Sequence, residues 1–168
     1  MQNPLTGAFD ELVKAVGSEL KTLGFAQRGS LFRVTAEHNC GLIEFQKSVK
    51  SSKQALLFTI NLAVVCGDLL ESGLSEAEGA QIVDAHVRQR IGTLLPGRPD
   101  KWWEITESTN RAALIQEVSE IVVGRAVPFV ESYLNTKVII ALWESGQSPG
   151  LTDVQRTRFL ARLKMKNS

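Results

Sequence analysis

The chain has 168 residues, 43% of them hydrophobic, enough for one core of ordinary domain size. Nineteen basic residues stand against eighteen acidic ones, so a net charge of +1 gives no overall field to draw the protein onto nucleic acid or a lipid surface. No run approaches the roughly 20 apolar residues of a membrane span, and Met1 to Gly7 has no basic segment followed by an apolar one; the expectation is a soluble, cytoplasmic protein.

From Phe9 the apolar residues fall at Phe9, Leu12, Val13, Val16, Leu20 and Leu23, which places them on one stripe of a helix. Asp10 and Glu11 suit the positive end of its dipole, and Gly24 followed by Phe25 suits a left-handed cap with hydrophobic closure. Leu31 to Ala36 then alternates as a first strand, Gly41 to Ser48 as a second and Leu56 to Cys66 as a long third, giving an antiparallel meander. The two cysteines, Cys40 and Cys66, lack a CxxC spacing and are expected as buried thiols.

Ser75 and Glu78 have the spacing of a capping box, which predicts a short helix running to about Asp84. His86 to Gly92 alternates as a fourth strand, and Trp102 to Thr106 forms a weaker fifth. The period then lengthens: Leu114, Val118, Ile121 and Val122 share a helical face, which Pro128 should kink or restart near Ala126 or Val127. A short apolar helix follows over Lys137 to Ser145. Thr152 and Gln155 open a last, basic helix with Val154, Leu160 and Leu163 on a rough stripe. The fold class is therefore α+β: an antiparallel sheet of about five strands, with an N-terminal amphipathic helix and C-terminal helices on one face. The expected organisation is a single domain, 1–168, with 137–168 a C-terminal helical extension of it.

Aligning the strands by alternation puts Phe32, Val34, Ile43, Phe45, Phe58 to Val64, Val87 and Ile91 on the core face. Lys47 falls on that side too, which implies a strand edge, a snorkelling stem or a slipped register. The opposite face gathers Arg33, Thr35, Glu44, Gln46, Ser48, Thr59, Asn61, His86, Arg88 and Arg90, with one of Trp102 and Trp103 beside them. Such an inventory is the ordinary choice for the wetted side of a one-sided sheet; the alternative is an anion-binding or carboxylate-paired cluster of three arginines close to Glu44.

Phe45-Gln46-Lys47-Ser48, Phe58-Thr59-Ile60-Asn61, Arg88-Gln89-Arg90-Ile91-Gly92 and Asp100-Lys101-Trp102-Trp103, in that order and spacing, resemble the bacterial family known as domain of unknown function 4304. The likeness runs from about Phe9 to about Phe129. It implies a small bacterial α+β domain and carries no activity, cofactor or catalytic set onto this chain.

His86, Ser48 and Glu44 match no elbow that would strain and expose a serine, and two histidines without clustered carboxylates do not make a metal centre. No catalytic residue, metal or cofactor is indicated. The first expectation is a non-catalytic binding domain that takes a protein or a small anionic ligand through Arg33, Glu44, Gln46, Ser48, Asn61, His86, Arg88, Arg90, Trp102 and Trp103, toxin immunity being one version. The alternative is an enzyme acting on a phosphorylated or carboxylated small molecule, with His86 or Glu44 as acid–base group and Arg88 and Arg90 as anion clamp. The basic last helix reads as a solvated face rather than a nucleic-acid surface, and residues 137–145 are a candidate homodimer helix.

Overall fold

The computed structural model describes residues 3–168. Helix α1 (Pro4–Thr22) carries the apolar stripe into the core, with Phe9, Leu12, Val16 and Leu20 buried. It starts earlier than the acidic pair suggested: Asn3 caps it by accepting the Leu5 N–H at 2.9 Å, and the rigid φ of Pro4 suits the first helical position. Asp10 and Glu11 therefore lie beyond its first turn. At the other end Gly24 has φ 96°, its N–H reaches the Lys21 carbonyl and the Phe25 N–H reaches that of Leu20, both at 3.1 Å. That pair of bonds is a Schellman closure, with Phe25 buried behind it.

The sheet has six antiparallel strands: β1 (Ala26–Arg28), β2 (Leu31–Ala36), β3 (Asn39–Lys47), β4 (Leu56–Cys66), β5 (Val87–Arg90) and β6 (Trp103–Ile105). The first five lie in meander order, and β6 shares an edge of β4 with β5. β5 pairs with the far end of β4, from Asn61 to Val64, and β6 with its beginning, from Leu56 to Phe58. Strand β1 is an addition to the expected set. Its three residues are exposed and carry no apolar signal, and the turn that folds it onto β2 rests on Gly29 at φ 63°.

One face of the sheet meets α1 and four helical segments from the C-terminal half: α3 (Arg111–Ile121), α4 (Val127–Tyr133), α5 (Thr136–Glu144) and α6 (Asp153–Lys166). Phe58 stacks on Trp103 with centroids 5.3 Å apart and meets Phe9 edge-on at 5.4 Å. Ile139 and Trp143 of α5 and Leu163 of α6 join the same cluster, and each such side chain removed from water contributes about 1.5–3 kcal/mol. Val154 instead stands in solvent. Pro128 does not break the chain's path. The turns before it widen into a π segment (Val122–Ala126), which lets α3 pass into α4 although the proline has no N–H to give.

The other face is half covered. Helix α2 (Leu74–Gly79) and a 3-10 turn (Ile82–Asp84) lie over Cys40, Leu42, Ala63 and Val65, forming a second, smaller apolar cluster. The expected Ser75 capping box does not form, because the Ser75 hydroxyl bonds the Ser72 carbonyl and Gly73 at φ 60° starts the helix. The reciprocal cap sits six residues on, between Gln81 and Asp84. The fourth strand is also shorter than its alternation, since Ile91–Leu94 turns as a 3-10 helix. Lys47 ends β3 with its ammonium 5.6 Å from the Phe9 ring centroid, an exposed head on an apolar stem.

Candidate functional site

The register sorts the second face into cross-strand rows. Arg33, Leu42, Ala63 and Arg88 form one row, and Leu31, Glu44, Asn61 and Arg90 the next, with Gln46 and Thr59 beyond. Arg33 and Arg88 are thus three strand spacings apart, about 14 Å, with the small apolar cluster between them. Arg33 donates to the Ala80 carbonyl at 2.9 Å, at the C-terminal end of α2. It fastens that helix and does not join the other arginines.

What remains open is the half carrying Glu44, Gln46, Asn61, Arg88, Arg90 and Trp102. Asn61 donates to Gln46 Oε1 at 2.7 Å and Glu44 Oε1 at 3.3 Å, so the amides form a chain across β3 and β4. Arg90 reaches both carboxylate oxygens of Asp100 through Nη1, at 3.0 and 3.3 Å, and lies over the Trp102 ring with 5.1 Å to its centroid. The Trp102 indole N–H donates to the same carboxylate at 3.1 Å. These bonds, Arg90 first, hold the Asp100 carboxyl below its usual pKa.

Segment 98–103 is pinned to the sheet by the fully buried Thr59, whose hydroxyl donates to the Lys101 carbonyl at 2.7 Å. A second fastening lies at Gly92, where any side chain would strike the Pro99 carbonyl. The adjacent tryptophans consequently part. Trp103 is buried against Phe58, its N–H donating to Glu117 at 3.1 Å, while Trp102 lines the open face.

A loop from the far end of the chain supplies the opposite wall. The Arg88 N–H donates to the Pro149 carbonyl at 3.0 Å and its Nη2 to the Gly150 carbonyl at 2.5 Å. Gly150, at φ 86°, lies so close that a Cβ would sit 2.7 Å from that of Arg88. Between these walls lie two adjoining open depressions of about 260 and 370 Å³. Asn61 and Ile82 line the first, Thr93, Arg98 and Asp100 the second, and Arg88, Gln89, Arg90 and Gly150 line both.

Besides Arg33 and Trp103, two more of the expected site residues lie elsewhere. His86 precedes β5 and turns to the helical side, where it is buried with its ring edge-on to Phe159 at 5.2 Å. Its Nδ1 accepts the Cys66 N–H at 2.9 Å, and burial, aided by Arg162 and opposed by Asp84, pushes its pKa down to about 4. It therefore shares no concavity with the arginines. Ser48 lies in the β3–β4 turn, where its hydroxyl oxygen accepts the Lys50 N–H at 3.0 Å.

Burial pushes the thiols of Cys40 and Cys66 up to about 11 and 12, so both stay protonated. Among the described residues, no cluster of three His, Cys, Asp or Glu side chains could hold a metal ion, and no helix is long and apolar enough to cross a membrane. The cations of α6 are largely committed within the chain. Arg162 donates to the Leu69 carbonyl, Arg156 to Gly146 and Asp153, and Lys164 pairs with Glu144 at 2.6 Å.

Asp100, Arg98, Thr93 and Gln89 complete the cleft without having been singled out as site residues. Asp100 had a visible signal in its place beside the tryptophans; Gly150 had none, being more than sixty residues from Arg88. A family model described as Domain of unknown function (DUF4304) matches residues 16–132, more than two thirds of the chain, ending inside α4. No curated protein and no solved structure gives a significant match.

Proposed function

Because the chain belongs to the family described as a domain of unknown function, DUF4304, whose description carries no activity, we propose a function from the cleft itself: a non-catalytic binding module that recognises an anionic group on a protein or small-molecule partner. The observation that carries this is the placing of Arg88 and Arg90, two residues apart on β5, along one open cleft that Asn61 and Gln89 also line. The set offers charge-assisted donors and a stacking ring, and no nucleophile with a base in reach. Glu44 accepts from Asn61 and has no histidine beside it, since His86 turns to the helical side.

Arg90 is the residue to test, since its side chain is 43% exposed and fastens no backbone segment. In an amide and guanidinium NMR titration with a Glu-rich peptide, signals from Asn61, Gln89, Arg90 and the Trp102 indole should move together and saturate. Arg90→Ala should remove the response while leaving the rest of the spectrum in place. A response that survives this substitution, or one centred on another surface, sinks the proposal.

A further inference from the structure

We infer that the larger depression, between Thr93, Arg98–Asp100 and Pro149–Gly150, is a site for a phosphomonoester dianion; this rests on the anion-binding reading above and names its ligand. Arg88, Arg90 and Arg98 line the depression together with a single carboxylate, Asp100, which leaves two positive charges in excess. A carboxylate ligand would balance one of them, and a phosphomonoester, which carries between about −1.5 and −2 at neutral pH, balances nearly both.

Several of the guanidinium donors are also uncommitted. Among the described residues Arg90 spends only Nη1 on Asp100, so its Nη2 and Nε have no protein acceptor. Arg88 meets one neutral carbonyl, that of Gly150, and its Nε is buried without a partner. The guanidinium of Arg98 has no acceptor at all among the described residues. Its backbone is held at φ 51°, in the left-handed region a non-glycine residue seldom adopts, between Gly97 at φ 78° and Pro99. Thr93, whose hydroxyl donates to the Arg90 carbonyl at 2.7 Å, walls the same space and contributes no negative charge to it.

The other half of the face explains why the site is confined. Asn61 commits its amide donors to Gln46 Oε1 and Glu44 Oε1, so a dianion placed there would meet the Glu44 carboxylate with the Asn61 donors already engaged. The arginine end lacks this opposition. Its volume of about 370 Å³ takes a phosphoryl group with part of what carries it, and its open mouth admits either a phosphorylated metabolite or a phosphorylated side chain.

The test titrates the full chain at fixed ionic strength with glucose 6-phosphate, a phosphoserine peptide and acetate, reading the Gln89 and Gly150 amides and the arginine Nε signals. Both phosphate probes, or one of them, should bind at least about tenfold more tightly than acetate. The preferred arm tells metabolite from phosphopeptide. Binding should weaken between about pH 7.5 and 5.5 as the phosphate takes up its second proton. Arg98→Asn, which removes the charge and keeps a residue tolerant of positive φ, should lower phosphate affinity about tenfold and leave circular dichroism unchanged. Equal affinity for acetate and phosphate, or indifference to Arg98→Asn, overturns the phosphate assignment. If the Glu-rich peptide still shifts Asn61 and Arg90 in that case, the broader binding proposal stands; if neither ligand perturbs the cleft, both fall.

Discussion

Acidification should unfasten α6 from the sheet through a single side chain, His86. Its Nδ1 accepts the Cys66 N–H at 2.9 Å, so the neutral ring carries its proton on Nε2. Protonation would set one N–H against another inside a buried contact with Phe159, with the Arg162 guanidinium nearby. The folded pKa lies at about 4 against 6.5 for a free imidazole. Between these values the unfolded chain binds more protons than the folded one, so stability rises with pH through the window. The contribution is complete above about pH 6.5 and is lost as pH falls to about 4; a gap of this size is worth about 3 kcal/mol. His86→Gln retains an oxygen that can accept the Cys66 N–H and removes the titration. Urea unfolding at intervals between about pH 4 and 7 should show the wild type losing about 3 kcal/mol more than the variant, with the carboxylates cancelling in the difference. Parallel curves, or an imidazole that titrates near 6.5 by NMR, would mean that His86 does not couple α6 to pH.

Three further outcomes follow from how the cleft and core are built. Trp103→Ala should cost about 3–5 kcal/mol in chemical denaturation, because the ring is buried against Phe58, whereas Trp102→Ala should leave stability nearly unchanged and weaken anion binding by uncovering Arg90. Cys40 and Cys66 should resist a disulfide reagent in the native protein and yield two thiols only in denaturant, since burial holds both protonated. Gly92→Ala should force the Pro99–Lys101 segment off the sheet, at a cost of about 1–3 kcal/mol, and broaden the Arg98 and Trp102 signals in the same sample.

Legibility in the sequence followed the strength of the local signal. Leu56 to Cys66 alternates over eleven residues, and β4 occupies that span. The helix stripe from Phe9 and the Gly24–Phe25 closure were equally legible, because a Schellman cap needs only two residues in the right order. The half-covered second face does carry a signal: Cys40, Leu42, Ala63 and Val65 are apolar where the polar face should run, which is how a strand buried on both sides reads. Alternation carried one residue back from β5 puts His86 on the polar face, whereas packing against Phe159 of α6 turns it to the other side. The wall at Pro149–Gly150 depends on long-range packing, which no periodicity encodes.

The two central arginines of the cleft consequently have different work, and substituting them should separate it. Arg88 is tied to the 149–150 wall by its N–H and by Nη2, and packs so closely on Gly150 that no other residue fits there. That wall lies outside the region matched by the family model, while Arg90, Asp100 and Trp102 lie inside it. Arg88→Ala removes one bond from a charged donor to a carbonyl, a loss of about 1.5–3 kcal/mol, and leaves the backbone bond in place. Global stability should fall by that order, and hydrogen exchange should quicken over residues 148–151 and the first turn of α6. Arg90 anchors no backbone, so Arg90→Ala should alter binding while exchange in the same segment stays as in the wild type. If both variants loosen the 148–151 segment equally, the cleft is one cooperative unit, and the division between a fastening arginine and a binding arginine fails.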